Sequence, residues 1–212
     1  MGASIESDLL WALGFGALAY LLGSVPFALL ITRWRAGVDV RQVGSGHAGA
    51  TNTMRAAGWG AGILVLLLDA AKGALAAAIP MLMGAPGWAM AIAGAAVVIG
   101  HCWPVFAGMR GGMGMASGAA ALLVIWPFGF ALALGMGAGL QLLLRHSARA
   151  NALTGLLVAP LWLLAGAGWE AALAAALVGV IIAVRAFSDW RRVYRELWWD
   201  REDAASAPPE TD

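Results

Sequence analysis

Charge is scarce in this chain. Only 12% of its 212 residues are Asp, Glu, Lys or Arg, 61% are hydrophobic, and the mean hydropathy is +0.79. That balance excludes a water-soluble globular surface and defines an integral membrane protein. Cysteine occurs once, as Cys102, so neither an intrachain disulfide nor a cysteine metal cluster is available. Lysine also occurs once, as Lys72. A net charge of +1, with the basic residues at segment ends rather than in a stripe, gives no case for a nucleic-acid partner. The opening residues 1–8 carry Glu6 and Asp8 but no Lys or Arg, unlike the basic start of a secretory signal. The first apolar run is therefore read as a retained span.

Long apolar runs are abundant. Residues 9–32 form the first; at about 1.5 Å per helical residue it is long enough to cross a roughly 30 Å hydrocarbon layer. It ends at Arg33 and Arg35. Residues 57–83 follow, with Asp69 and Lys72 inside, and a short turn at 84–87 leads to a third run over 88–107. After a polar break at 108–114, residues 115–144 are too long for one span, and Pro127 with Gly129 divides them. A basic loop over 145–151, a segment over 152–165, a bend at 166–168 and a last span over about 170–184 complete the membrane part. The polar tail contains Arg191, Arg192, Arg195 and Arg201 among Tyr194, Trp198 and Trp199, which reads as an amphipathic surface helix with a disordered end.

These runs predict an all-α fold, a polytopic membrane helix bundle of about seven transmembrane helices. One domain covers 1–190 and a cytoplasmic tail covers 191–212. With the N-terminus outside and the C-terminus cytoplasmic, every arginine falls on the inner side, and the turns near Gly84, Pro127 and Gly166 contain no Lys or Arg.

The chemistry gathers around residues 43–54, Val-Gly-Ser-Gly-His-Ala-Gly-Ala-Thr-Asn-Thr-Met. Gly44, Gly46 and Gly49 let backbone N–H groups approach a ligand closely, while Ser45, Thr51 and Asn52 add side-chain donors. Arg41 just before and Arg55 just after supply the charge that a phosphate oxygen prefers. The Gly-x-Gly-x-x-Gly spacing also fits a dinucleotide fingerprint, but that fingerprint requires a preceding strand, and here a membrane helix precedes it. A second glycine-rich break, 108–114, carries Arg110 on the same face. Asp69 and Lys72, three apart on one helix, are read as a buried ion pair that fixes helix packing in preference to a substrate contact.

Taken in order, these motifs are specific. Gly44-Ser45-x-x-x-Gly49-Ala50-Thr51-Asn52 with Asp39 and Arg41 upstream is followed by Asp69-x-x-Lys72-Gly73. Next come Gly100-His101-x-Trp103-Pro104-Val105-Phe106-x-Gly108 and Gly111-Gly112-x-Gly114. The series resembles the bacterial acyl-phosphate-dependent glycerol-3-phosphate acyltransferase family, from Gly23-Ser24-Val25-Pro26-Phe27 to about Gly118 and in weaker register to Arg192. The resemblance implies a seven-helix inner-membrane enzyme of phospholipid synthesis. Such an enzyme moves an acyl group from acyl phosphate onto the first hydroxyl of glycerol 3-phosphate, giving lysophosphatidic acid, and uses no metal, cofactor or acyl-CoA. Its motifs imply substrate binding by Ser24, Arg41, Gly44, Gly46, Gly49, Thr51, Asn52, Arg110, Gly111, Gly112, Gly114 and Arg185, and catalysis near Ser45 and His101, with the site on the cytoplasmic side.

The chain also departs from the family pattern. Met113 stands where the second motif has lysine, and Arg185-Ala186-Phe187-Ser188-Asp189 stands where a histidine and an asparagine usually follow the arginine. Losing a charged phosphate contact costs about 1.5–3 kcal/mol, and losing a general base about 10²- to 10⁴-fold in rate. His47 in the first loop, as a third catalytic candidate, and His146 with Arg149 in the next are candidate replacements. An alternative reading is a non-catalytic relative, a membrane phospho-ligand sensor or scaffold.

Overall fold

The computed structural model describes residues 5–192. Among these residues every regular element is helical: α1 (Ile5–Gly23), α2 (Phe27–Ala36), α3 (Ala50–Ala57), α4 (Trp59–Leu82), α5 (Gly87–Cys102), α6 (Met115–Ile125), α7 (Pro127–Leu144), α8 (Ser147–Leu164) and α9 (Trp169–Phe187). Single 3-10 turns occupy Val40–Gln42 and Val105–Ala107. Six stretches are long and apolar enough to cross a membrane, namely Asp8–Ala36, Trp59–Leu82, Gly87–Ala107, Pro127–Leu144, Ser147–Leu164 and Trp169–Phe187. With 11 residues, α6 is a shorter apolar helix. The surface helix and disordered end expected for the tail lie, from residue 193 on, outside the described residues.

The helix boundaries correct the sequence reading in three places. The first run is not one helix, because the chain breaks at residues 24–26. Pro26 has no N–H for the helical ladder and disfavours helical backbone at Val25. The basic loop expected over 145–151 shrinks to Arg145 and His146. His146 is the N-cap of α8, its Nδ1 accepting from the Arg149 N–H at 3.4 Å, so 147–151 form the first turns of a full-length helix. Residues 50–54, expected as part of the loop, belong to α3 (Ala50–Ala57), which ends where Gly58 takes φ +90°. The division of 115–144 falls as expected, with Pro127 at the start of α7, where a missing N–H is harmless.

Small residues let the helices touch backbone to backbone, the usual solution where lipid removes the hydrophobic drive between helices. A Cβ on Gly155 of α8 would strike the Gly179 carbonyl of α9, and one on Gly179 would strike the Gly155 carbonyl. Gly73 of α4 meets the Ser117 backbone of α6 in the same way, and Gly100 of α5 meets the Tyr20 carbonyl of α1. α7 packs chiefly on α8, with a smaller contact to α6. Its start is held by fully buried Trp162, whose indole N–H donates to the Gly129 carbonyl at 2.8 Å.

Lys72 is buried and fully engaged. Its ammonium lies 2.8 Å from Asp69 Oδ1 and donates to the Gly23 and Val25 carbonyls at 2.9 and 3.2 Å. Three N–H donors meet three acceptors. The pair thus clamps α4 to the break between α1 and α2, where α1 has run out of intrahelical donors.

Candidate active site

Three segments meet at one end of the bundle: the loop 43–49, the loop 103–114 and the end of α9. The first is folded by its own residues. Gly44 (φ +54°) and Gly46 (φ +74°) take left-handed backbone that a side chain disfavours. From the first turn of α3, buried Asn52 reaches back into this loop. Its Nδ2 donates to Ser45 Oγ at 3.0 Å and to the His47 carbonyl at 2.9 Å, and its Oδ1 accepts from Arg55 at 2.8 Å. The second loop is laid alongside by a bond from the Ala48 N–H to the Gly111 carbonyl at 3.3 Å, while Gly112 N–H donates to the His101 carbonyl at 3.1 Å. From α9, Arg185 donates through Nε to the Gly112 carbonyl at 3.1 Å. Arg192 donates to the Ser45 and Gly44 carbonyls at 2.6 and 3.1 Å.

Arg41 acts as a strut. Its Nε and one terminal nitrogen grip the Asp39 carboxylate at 3.0 and 2.7 Å, and the other terminal nitrogen donates to the Ala107 carbonyl at 3.0 Å. This fork holds the Asp39 carboxyl down at about 2, chiefly through the hydrogen bond from Arg41, and raises Arg41 in turn. A carboxyl depressed in the fold contributes stability that is complete above its ordinary value near 3.8 and is lost as pH falls toward 2. The tether between the two loops is therefore expected to hold at pH 5 and to release between about pH 4 and 2. Tryptophan fluorescence during acid titration, compared with that of Asp39→Asn, measures this; the variant should lack the step.

His47 is held at both ring nitrogens. Nε2 lies 2.5 Å from Asp189 Oδ2, and Nδ1 lies 3.0 Å from an Arg185 terminal nitrogen. Arginine only donates, so Nδ1 is an acceptor and Nε2 carries the hydrogen. The ring is neutral in this arrangement. Burial pushes its pKa below the ordinary histidine value, against the opposing pull of Asp189.

His101 lies across the site at the end of α5. Its Nδ1 is 3.3 Å from Ser117 Oγ and 3.5 Å from Asp69 Oδ1, and the Ser117 hydroxyl donates to the Asp69 backbone carbonyl at 2.9 Å. With that hydroxyl hydrogen committed, Nδ1–H is the donor and Nε2 keeps its lone pair. A Cβ at Gly112 would strike this Nε2 and the Ala48 carbonyl, so glycine is required there for close approach.

Between these groups is a cavity of about 420 Å³ lined by Ser45, His47, Gly49, Thr51, Asn52, Asp69, His101, Met113, Gly114 and Asn151, among others. An apolar groove of about 300 Å³ runs from it between α6, α7, α8 and α9, and the two share Met115, Ala119 and Asn151. Of the sequence candidates, Ser45, His47, Gly49, Thr51, Asn52, His101 and Gly114 line the cavity. Ser24 is buried behind it, accepting from the Val105 N–H at 3.4 Å. Gly44 and Gly46 shape the loop backbone, Gly111 and Gly112 border a small void beside Lys72, Arg110 is exposed on its loop, and Arg185 stands behind His47. Arg149 packs over the Trp190 ring at 5.8 Å, and neither it nor His146 lines the cavity. No Lys or Arg is among the lining residues described, and Met113 packs toward Ala152, Ala183 and Ala186. Sequence reading missed Asp189, Ser117 and Asn151, none of which lies in a glycine motif. The one signal for Asp189 was an acid four residues after Arg185.

A profile of the glycerol-3-phosphate acyltransferase family matches residues 13–196. The chain belongs to that family. Curated members include a glycerol-3-phosphate acyltransferase of Exiguobacterium sibiricum, 48% identical over 54% of this chain and 55% of its own length. A second, from Gluconobacter oxydans, is 44% identical over 67% of this chain and 68% of its own length. The alignable region thus spans about half to two thirds of these relatives. Among solved structures, the glycerol 3-phosphate form of PlsY, an integral membrane glycerol 3-phosphate acyltransferase, matches 85% of this chain and 90% of its own, with a TM-score of 0.76 and 33% identity. Its lysophosphatidic acid form matches with a TM-score of 0.72 and 29% identity. Within the family, this chain is a multi-pass membrane protein.

Proposed function

We propose that this chain transfers an acyl group from acyl phosphate onto the first hydroxyl of glycerol 3-phosphate, releasing phosphate and lysophosphatidic acid at the cytoplasmic face of the membrane. The observation that carries this reading is a cavity with Ser45, His47, Thr51, Asn52, Asp69 and His101 on its wall that shares Met115, Ala119 and Asn151 with an apolar groove. A polar acceptor and an acyl tail then meet where the two spaces join. The solved relative's glycerol 3-phosphate and lysophosphatidic acid forms support the same acceptor and product.

An acyl phosphate is already activated, so the protein has mainly to position the reactants and receive a proton. His101 Nε2 takes the proton of the acceptor hydroxyl as its oxygen bonds to the acyl carbon. The bond from that carbon to the phosphate oxygen breaks, and the electron pair leaves with phosphate. Asp69 and Ser117 hold the ring from its other nitrogen. Ser45 and Thr51, with N–H groups of the glycine loop, receive the headgroup phosphate, on a loop that the Asn52 side chain holds in shape.

Purified protein supplied with acyl phosphate and glycerol 3-phosphate should release phosphate and acylated product together, and should not do so with acyl-CoA. Absence of turnover with either donor, alongside retained binding, overturns the proposal in favour of a non-catalytic role. Met113→Lys restores a cation to the cavity wall and should tighten glycerol 3-phosphate binding roughly tenfold or more, since charge-assisted hydrogen bonds contribute about 1.5–3 kcal/mol. Calorimetric titration measures this. An unchanged affinity would remove the phosphate from that wall.

A further inference from the structure

The cavity wall described above has no permanent cation, yet two guanidinium groups lie directly behind its loop. Arg185 is held there by the Gly112 carbonyl and Ser188 Oγ, at 3.1 and 2.9 Å, while its remaining terminal nitrogen is tied to His47, whose Nδ1 accepts at 3.0 Å. His47 itself lines the cavity, and its opposite nitrogen is anchored 2.5 Å from Asp189. We propose that His47 is a proton-linked phosphate contact: when a phosphate dianion enters, Nδ1 gains a proton and turns from acceptor to donor. At the same time Arg185 is released toward the phosphate oxygens, while Asp189 keeps Nε2 in place.

The inference rests on the reading that this cavity receives glycerol 3-phosphate. Its balance is simple: one proton passes from solvent to Nδ1, and one hydrogen bond from Arg185 passes from the imidazole to the ligand. The charged groups facing His47 are Arg185 of α9 and, just past its end, Asp189 and Arg192. Asp69 and His101 stand elsewhere on the cavity wall, from α4 and α5. The two arginines and burial favour the neutral ring, and Asp189 opposes them. A dianion beside Nδ1 reverses that balance, because an opposite charge within a few ångströms favours the protonated form. Asp189 is a positioning residue in this scheme. With Met113 and Ala186 unable to carry charge, the His47 and Arg185 pair becomes the site's source of positive potential.

The test is calorimetric titration of the full-length protein with glycerol 3-phosphate at pH 7.5 in two buffers of different ionisation enthalpy. The wild type should take up about one proton per ligand bound, and His47→Asn should bind more weakly with uptake close to zero. Wild-type binding without uptake, or unchanged uptake in the variant, overturns the inference. No binding by the wild type overturns the reading beneath it as well. Nitrogen NMR of the wild type, whose only histidines are His47, His101 and His146, needs no variant. One neutral ring with hydrogen on Nε2 should become an imidazolium on adding glycerol 3-phosphate; three rings unchanged by bound ligand would refute the proposal.

Discussion

Replacing His101 by alanine is expected to lower phosphate release from acyl phosphate by about 10²- to 10⁴-fold, the range for removal of a general base. Affinity for glycerol 3-phosphate should stay near its original value, since the proposed loop contacts that hold the headgroup come from Ser45, Thr51 and backbone N–H groups. The loss should therefore fall on kcat rather than KM. Asp69→Asn tests the orientation of the same ring. It leaves Ser117 Oγ, 3.3 Å from Nδ1, but exchanges the carboxylate 3.5 Å away for an amide. The ring can then flip or change tautomer, and a smaller loss of rate is expected per folded molecule, because the same change also takes the carboxylate from Lys72 and destabilises the fold. Ser117→Ala, with Asp69 intact, should be milder still. A His101→Ala enzyme that retains a third or more of wild-type turnover would exclude this histidine from the chemistry.

Lys72→Met should be the most damaging single change to the fold. The ammonium is 3% exposed, and its removal leaves Asp69 as an unpaired buried carboxylate and the Gly23 and Val25 carbonyls without their donor. Breaking a buried pair from one side costs about 3–5 kcal/mol, which in a domain of this size lowers Tm by roughly 6–20 °C. The double variant Asp69→Asn with Lys72→Met removes both charges and should recover part of that loss. Thermal unfolding in detergent, followed by tryptophan fluorescence, measures both. Equal destabilisation by the single and double variants would mean that the carbonyl contacts, rather than the ion pair, hold the α1–α2 break to α4.

Much of the bundle was legible because lipid selects so strongly on hydropathy. Asp69 and Lys72 were recognisable as a packing pair from their three-residue spacing inside an apolar run, and Pro127 divided its run because a proline at that point has few alternatives. The break at 24–26 was less visible, since Ser24 and Pro26 barely interrupt the hydropathy of their surroundings. Residues 145–151 misled for a different reason: a polar stretch before an apolar one is equally a loop or a capped helix start, and only the His146 cap decides. In the site, glycine spacing located the two loops and their adjacency. It did not reveal where arginine hydrogen bonds end. Arg41 reaches Ala107 and Arg192 reaches Ser45, across 66 and 147 residues of chain, and no local pattern encodes such destinations. His47 was singled out for its position in the loop, but its neutral tautomer follows only from the Arg185 contact.

α7, which packs chiefly on α8, leaves most of its surface uncovered by the other described helices. If the proposed reaction holds, the groove between α7 and its neighbours would give a greasy tail a sideways way in from the bilayer, and an amphiphilic donor and product would then never need to leave the membrane plane.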